Sequence, residues 1–242
     1  MYKRQGPDNS AADSNSGHGT HITGIIVGNG TLDNQTLGIA PAAEVNFYQI
    51  EYDTSGLLAR WGTLYSMFSH SLQNQARTHT NAWGSVNQPG QYTADSHSAD
   101  SFIVDQPSYL AVFSGGDIGH NQGATTTPPG TAKNVLTIGA STTGLGGTDP
   151  QGSGWLNNSG GTLDGRIKPD LVAPGVEICS ARASEATSVT GQDCSTAIDQ
   201  DATPLYVTGT GSSMATAVAS GGALIVREYL GQELGLSEPL SL

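Results

Sequence analysis

Two stretches carry residue types whose spacing suits nucleophilic chemistry. The first is Gly209-Thr-Gly-Ser-Ser-Met-Ala-Thr-Ala-Val-Ala-Ser-Gly-Gly222, followed by Ala223-Leu-Ile-Val226. It reads as a loop running into a small-sided helix that packs close to other backbone. A serine in its first turn meets unpaired backbone N–H groups and the positive end of the helix dipole. A nucleophile that generates a transient oxyanion belongs at such a place. A plain serine N-cap on a buried helix fits the same residues. The second stretch is Ser16-Gly-His-Gly-Thr-His-Ile-Thr-Gly24. His18 between two glycines suits a general base at a helix start, or a turn residue. His18 and His21 could also pair on a metal, but no Glu lies between them as in a zincin helix.

Together and in order, G-H-G-T-H and G-S-S-M-A-T resemble the His and Ser blocks of the subtilisin-like serine peptidases, the subtilases. The resemblance implies His18 as general base and Ser213 as nucleophile. Other stretches carry it further. Leu37-Gly-Ile-Ala-Pro41 is similar to the family's G-x-A-P turn, and Thr80-Asn-Ala-Trp-Gly84 to its N-x-S-W-G strand end. Gly130–Ala140 and Asp164–Gly175 resemble two further family strands. The likeness covers nearly all of residues 12–230 and is nearest to the large, oxidation-resistant alkaline bacterial subtilases.

The elements that must position these residues alternate in type. Helices are predicted over His18–Val27, Leu57–Ala76 and Ala99–Asp105, and after Gly211. Strands are predicted over Glu44–Ile50, Thr78–Trp83, Tyr109–Phe113, Asn134–Ala140 and within Gly165–Gly175. Alternation implies α/β architecture with a parallel sheet and helices on both faces. The resemblance makes this the three-layer subtilisin-like fold.

Composition narrows the partners. The chain has 242 residues, 33 of them glycine, and a formal net charge of −12. Nucleic-acid binding needs basic patches, which this balance opposes. No apolar run approaches a membrane span. Polypeptide substrates, a monomer and a secreted location are the expectations that follow from the resemblance. Cys179 and Cys194 bracket a Ser/Thr/Asp-rich loop and suit a disulfide in a secreted protein, though two free thiols fit as well.

Several positions depart from the family pattern. The family's orienting aspartate lies before the His block, at the end of a D-T-G or D-S-G strand, and no such strand is read here. Asp8 and Asp13 lie upstream in polar sequence, and Asp13 reads as a turn or cap residue. The triad is thus incomplete in this chain, and little or no peptidase activity is expected of it. Val112–Gly119 aligns with the family's A-A-G-N-x-G, which puts Asp117 at the oxyanion-donor position. An ionised carboxylate cannot donate, whereas a protonated one can. Some relatives carry Asp there, among them a prohormone convertase and the sedolisins. Asn121 is nearby at the wrong spacing, so the Ser213 N–H remains the other donor. Ala217 stands for the usual Pro, and Ser212 for the usual Thr.

Substrate contacts also follow from the resemblance. Ser55-Gly-Leu57 would be an edge pairing with an extended peptide. Ala82-Trp83-Gly84 and Ser114-Gly115-Gly116 would wall the pocket for the side chain before the scissile bond, open and unselective by its glycines. Trp83 suits core packing equally well. The chemistry needs no cofactor. Structural calcium is common in the family, but Asp193, Asp199 and Asp201 read as solvated surface and no metal ligands are assigned.

The ends are expected to lie outside the fold. Tyr2-Lys-Arg-Gln5 is what TATAAGAGACAG encodes, and Leu240-Ser-Leu242 what CTGTCTCTT encodes. Both match the end of a transposase-based sequencing adapter. Residues 6–239 are therefore read as a partial catalytic domain, truncated at both ends. Three other readings compete with a peptidase fragment. One is a catalytically silent subtilase-fold binding module. Another is a sedolisin-type acid peptidase, disfavoured because sedolisins place Glu where His18 stands. The last is a flavodoxin-like binding protein, which lacks a phosphate motif.

Overall fold

The computed structural model describes residues 2–4, 12–52, 55–119, 123–143, 155, 157–189, 191–194, 198 and 203–232. In chain order the elements are β1 (Tyr2–Arg4), α1 (His18–Val27), β2 (Asn46–Tyr48), α2 (Leu64–Gln73), β3 (Thr78–Asn81) and α3 (Ala94–Asp105). They continue with β4 (Leu110–Ser114), β5 (Leu136–Ser141), β6 (Leu171–Pro174), β7 (Ile178–Ala181), β8 (Tyr206–Gly209) and α4 (Ser212–Gln232). Two compact units divide them: residues 1–62 with 177–209, and residues 63–176 with 210–242.

In the second unit, β3-β4-β5-β6 form a parallel sheet in that order. Its strands alternate sides, and the core follows the alternation. Val112, Ile138, Ala140 and Ala173 pack with Ala215 of α4 on one face. Phe113 points the other way, toward Phe68 of α2, with ring centroids 6.4 Å apart. Phe68 in turn packs edge-on against Phe102 of α3 at 5.5 Å. The sheet therefore carries α4 on one side and the α2–α3 pair on the other. The small side chains of Ala215 and Ala217, both fully buried, let α4 lie close to the strands.

An ion pair between the buried Lys168 and the exposed Asp170 ties the far edge of this sheet. Lys168 Nζ donates to Asp170 Oδ2 at 2.7 Å and to the Val135 carbonyl at 3.0 Å. Asp170 Oδ2 also accepts from Thr137 N at 2.7 Å. Desolvation pulls the Lys168 pKa down and Asp170 opposes it.

In the first unit, α1 packs on β7, which pairs antiparallel with β8, and β1 pairs parallel with β2. A disulfide joins Cys179 of β7 to Cys194.

Most predicted elements form with shifted ends, and each shift has a local cause. Helix α2 starts at Leu64 instead of Leu57 because Thr63 caps it, its side chain accepting from Ser66 N. Leu57 and Trp61 fall before it. Helix α3 starts five residues earlier than predicted, since Thr93 and Ser96 form a capping box. The pair β7–β8 was not foreseen, because polar sequence surrounds both strands. Tyr2–Arg4, set outside the fold on sequence grounds, pairs in register with Asn46–Tyr48.

Candidate active site

In the first unit, His18 is the first residue of α1. Gly17 precedes it at φ +70, where a Cβ would be strained and crowded by the Cβ atoms of Ala186 at 3.2 Å and Ala183 at 3.3 Å. Asp13 caps the helix from upstream. Its Oδ2 accepts from Thr20 N at 2.8 Å and from Thr20 Oγ1 at 2.7 Å. Asp13 is thus a cap residue, as its polar surroundings suggested. Burial lowers the His18 pKa, His21 lowers it further, and Asp13 works in the opposite direction. The neutral imidazole, the form a general base needs, is favoured.

His21, one turn on, is buried and structural. Its Nε2 lies 3.0 Å from the Val207 carbonyl, which fixes the proton on Nε2 because a carbonyl only accepts. Its own carbonyl accepts from Ser180 Oγ at 2.7 Å. This bolts α1, with His18 as its first residue, to β7 and β8. The metal-pair alternative loses His21 to this packing.

The second unit places the serine. Ser213 is in the first turn of α4, and its Oγ donates to the Ala82 carbonyl at 3.1 Å. Asp117 reaches the same turn, where its Oδ1 accepts from Ser212 N at 2.9 Å. The N–H groups of Met214 and Ala215 go to the Gly211 carbonyl at 3.2 and 3.4 Å. Among the described hydrogen bonds of this turn, the Ser213 N–H is the one not so assigned, as an oxyanion donor requires. Asp117 therefore sits at the positive end of α4 with one oxygen committed as an acceptor.

Ser212 has turned its hydroxyl inward. Its Oγ lies 2.6 Å from Ser114 Oγ and accepts from Gly116 N at 3.1 Å. The hydroxyl thus ties Ser114–Gly116 to the helix that bears Ser213. Ala217 keeps its backbone N–H inside an unbroken α4, which the usual Pro would lack.

The expected substrate segments fare unequally. Ser55–Leu57 is not an extended edge. It is the tip of a turn in which Ser55 N and Gly56 N both donate to the Tyr52 carbonyl, at 3.2 and 2.9 Å. Tyr52 N returns a bond to Leu57 O, so the backbone here is spent internally. Ala82–Gly84 and Ser114–Gly116 do lie in one unit with Ser213. Trp83 packs edge-on against Phe113 at 5.8 Å, so core packing accounts for it. Neither glycine of these walls, Gly84 or Gly116, faces open space. Gly84 and Gly116 both face the side chain of Thr127. Thr127 belongs to Thr125-Thr-Thr-Pro-Pro129, which reads as an ordinary loop.

Asp8, Asn121, Asp199 and Asp201 lie outside the described residues. Asp193 forms an isolated bridge with Val207. Among the described residues no cluster of three or more His, Cys, Asp or Glu could hold a metal ion, and no helix is long and apolar enough to cross a membrane.

The Peptidase_S8 subtilase family profile matches residues 2–238. The chain belongs to the subtilase family. A serine protease/ABC transporter B family protein, tagA of Dictyostelium discoideum, is 28% identical over 90% of this subtilase chain. The match spans 17% of that relative's length. Subtilisin-like protease 5 of Arthroderma otae is 30% identical over 75% of this chain and 40% of its own. Among solved structures, the prenylagaramide maturation protease PagA superposes with TM-score 0.67 at 20% identity, covering 97% of this chain and 70% of that one. Sphericase gives 0.65 at 20% identity, covering 93% and 66%. These structural likenesses establish the shared α/β fold. This subtilase chain spans only part of the curated relatives it matches.

Proposed function

We propose that the chain is the part of a serine endopeptidase that supplies base and nucleophile. The observation that carries this reading is Ser213 in the first turn of α4, beside the Asp117–Ser212 bond, in a subtilase-family chain. In the proposed reaction His18 takes the Ser213 Oγ proton as Oγ attacks the peptide carbonyl carbon. The Ser213 N–H stabilises the developing oxyanion. The proton passes to the leaving amine, and water hydrolyses the acyl-enzyme with His18 again as base. Polypeptides are the substrates. The oxidised Cys179–Cys194 pair supports a location outside the cell. Family likeness alone leaves structural calcium as part of the proposal, with no ligands assigned.

A fluorophosphonate probe applied to the full-length protein tests the nucleophile. Covalent labelling that maps to Ser213, and disappears in Ser213→Ala, is expected. An unlabelled but folded protein would sink the peptidase reading. Asp117 specifically favours that second outcome, a silent binding module, because an ionised carboxylate repels an oxyanion.

A further inference from the structure

Three Asn-x-Ser/Thr triplets occur in the chain: Asn29-Gly-Thr31, Asn34-Gln-Thr36 and Asn157-Asn-Ser159. In a protein that passes through a eukaryotic secretory pathway, such a triplet can accept an Asn-linked oligosaccharide. The fold treats the three differently. Ser159 is 1% exposed and its Oγ accepts from Ile118 N at 3.0 Å, while the Asn158 side chain exchanges two hydrogen bonds with Ala140. Thr36 is also buried, and its Oγ1 donates to the Asp33 carbonyl at 2.6 Å. Folding therefore closes both of those triplets. Asn29 and Thr31 are both exposed, so this amide and this hydroxyl stay at the surface.

The surroundings of Asn29 give a glycan something to cover. Helix α1 ends at Val27, and the chain returns at Gly38, whose N–H donates to the Gly28 carbonyl at 2.7 Å. Asn29 Oδ1 accepts from Thr31 N at 3.1 Å, an Asx-turn within the triplet. Asn29 also forms an isolated antiparallel bridge with Leu37. Residues directly opposite in such a pair project to the same face. Leu37 is 56% exposed, and Leu32, in the loop between the two bridge residues, is 67% exposed. A sugar on Asn29 Nδ2 thus starts on the face that carries Leu37, beside apolar surface that is otherwise left in water.

We propose that Asn29 is the acceptor of an Asn-linked oligosaccharide, which covers Leu37 and Leu32. The proposal rests on the location outside the cell given above and is independent of the peptidase reading. The Cys179–Cys194 disulfide suits the same oxidising compartment. In the transfer, Asn29 Nδ2 attacks C1 of the first sugar of an oligosaccharide carried on a polyprenyl diphosphate. The C1–Nδ2 bond forms and the C1–O bond to the diphosphate breaks. The polyprenyl diphosphate leaves, and the proton lost from Nδ2 passes to solvent.

Full-length protein expressed in a eukaryotic secretory host tests this. Material from the medium, the microsomes and the cytosol is treated with peptide N-glycosidase in heavy-oxygen water, which leaves a labelled aspartate at each occupied asparagine. Peptide mass spectrometry should find position 29 occupied in the native protein. Occupancy should be lost in Asn29→Gln. It should also be lost in Thr31→Val, which keeps the shape of threonine without its hydroxyl. The microsomal fraction reads any variant that fails to fold and is retained. Native protein that reaches the medium with Asn29 bare overturns the proposal alone. A glycan on Asn29 that survives Thr31→Val overturns it too. Native protein that stays in the cytosol with Asn29 bare overturns the location reading along with it.

Discussion

Asp117 Oδ1 accepts a 2.9 Å hydrogen bond from the backbone N–H of Ser212, the residue before the proposed nucleophile. Its second oxygen lies 2.8 Å from where a Cβ on Gly211 would stand, and Gly211 has φ +151, a conformation that side chains rarely adopt. One carboxylate oxygen therefore caps α4, and the other lies beside Gly211.

Asp117→Asn keeps the accepting oxygen and replaces the other with an N–H donor. In the full-length protein this substitution should raise kcat at neutral pH by about 10²–10³, the worth of one oxyanion donor. Asp117→Ala removes both functions and should cost about 1 kcal/mol of stability through the lost cap. Steady-state kinetics and urea unfolding read the two effects. A lower kcat for Asp117→Asn at pH 8 would show that Asp117 is not the oxyanion residue.

The His18 pKa is lowered from 6.5 by burial and by His21. The neutral base then persists to lower pH than a free imidazole would. The acid limb of kcat/KM should have its midpoint below 6.5. Asp13→Asn, which removes the opposing charge, should move that limb further down. A midpoint above 6.5 contradicts the environment described for His18.

His79 lies against the Phe68 ring, centroids 4.8 Å apart, and desolvation pushes its pKa down to about 4, with Asn81 opposing. Between pH 6.5 and 4 the unfolded chain binds the proton and the folded chain does not. Stability from this group is complete above pH 6.5 and falls as pH drops toward 4. Its loss amounts to at most about 3 kcal/mol. His18 and His21, also lowered, act with the same sign. Denaturant midpoints measured across this window should fall for the native protein and fall less for His79→Phe. Parallel pH curves for the two would refute this account.

Lys168 is buried, and Asp170 is its charged partner at 2.7 Å. Asp170→Ala leaves Lys168 Nζ its bond to the Val135 carbonyl but no charged partner, and removes the acceptor for Thr137 N, which should cost about 1–3 kcal/mol. Pairing it with Lys168→Met should recover most of that loss. Urea unfolding of the four combinations gives the coupling. A single-variant loss below about 1 kcal/mol would mean that water reaches Lys168.

Local chemistry was legible in the sequence wherever the cause was local. The span of α1 follows from residues within it and from Gly28, its stop signal. Asp13 reads as a cap because it sits in polar sequence a few residues before the helix. The alignment of Asp117 with Ser213 rests on two short motifs that carry their own turn geometry. The β4 and β5 strands announce themselves through runs of buried apolar residues.

What the tertiary structure alone decided are contacts between residues far apart in the chain. Thr127 and the two glycines it meets are separated by 43 and 11 positions, and a threonine run before two prolines gives no hint of them. Ser55–Leu57 looks like an edge until its N–H groups are traced to Tyr52. Ser212 turns its hydroxyl to Ser114, which is 98 positions away. Periodicity and motif spacing encode which face of an element is buried. They do not encode which side chain fills the space across from it, because packing is settled only when the strands and α4 are brought together.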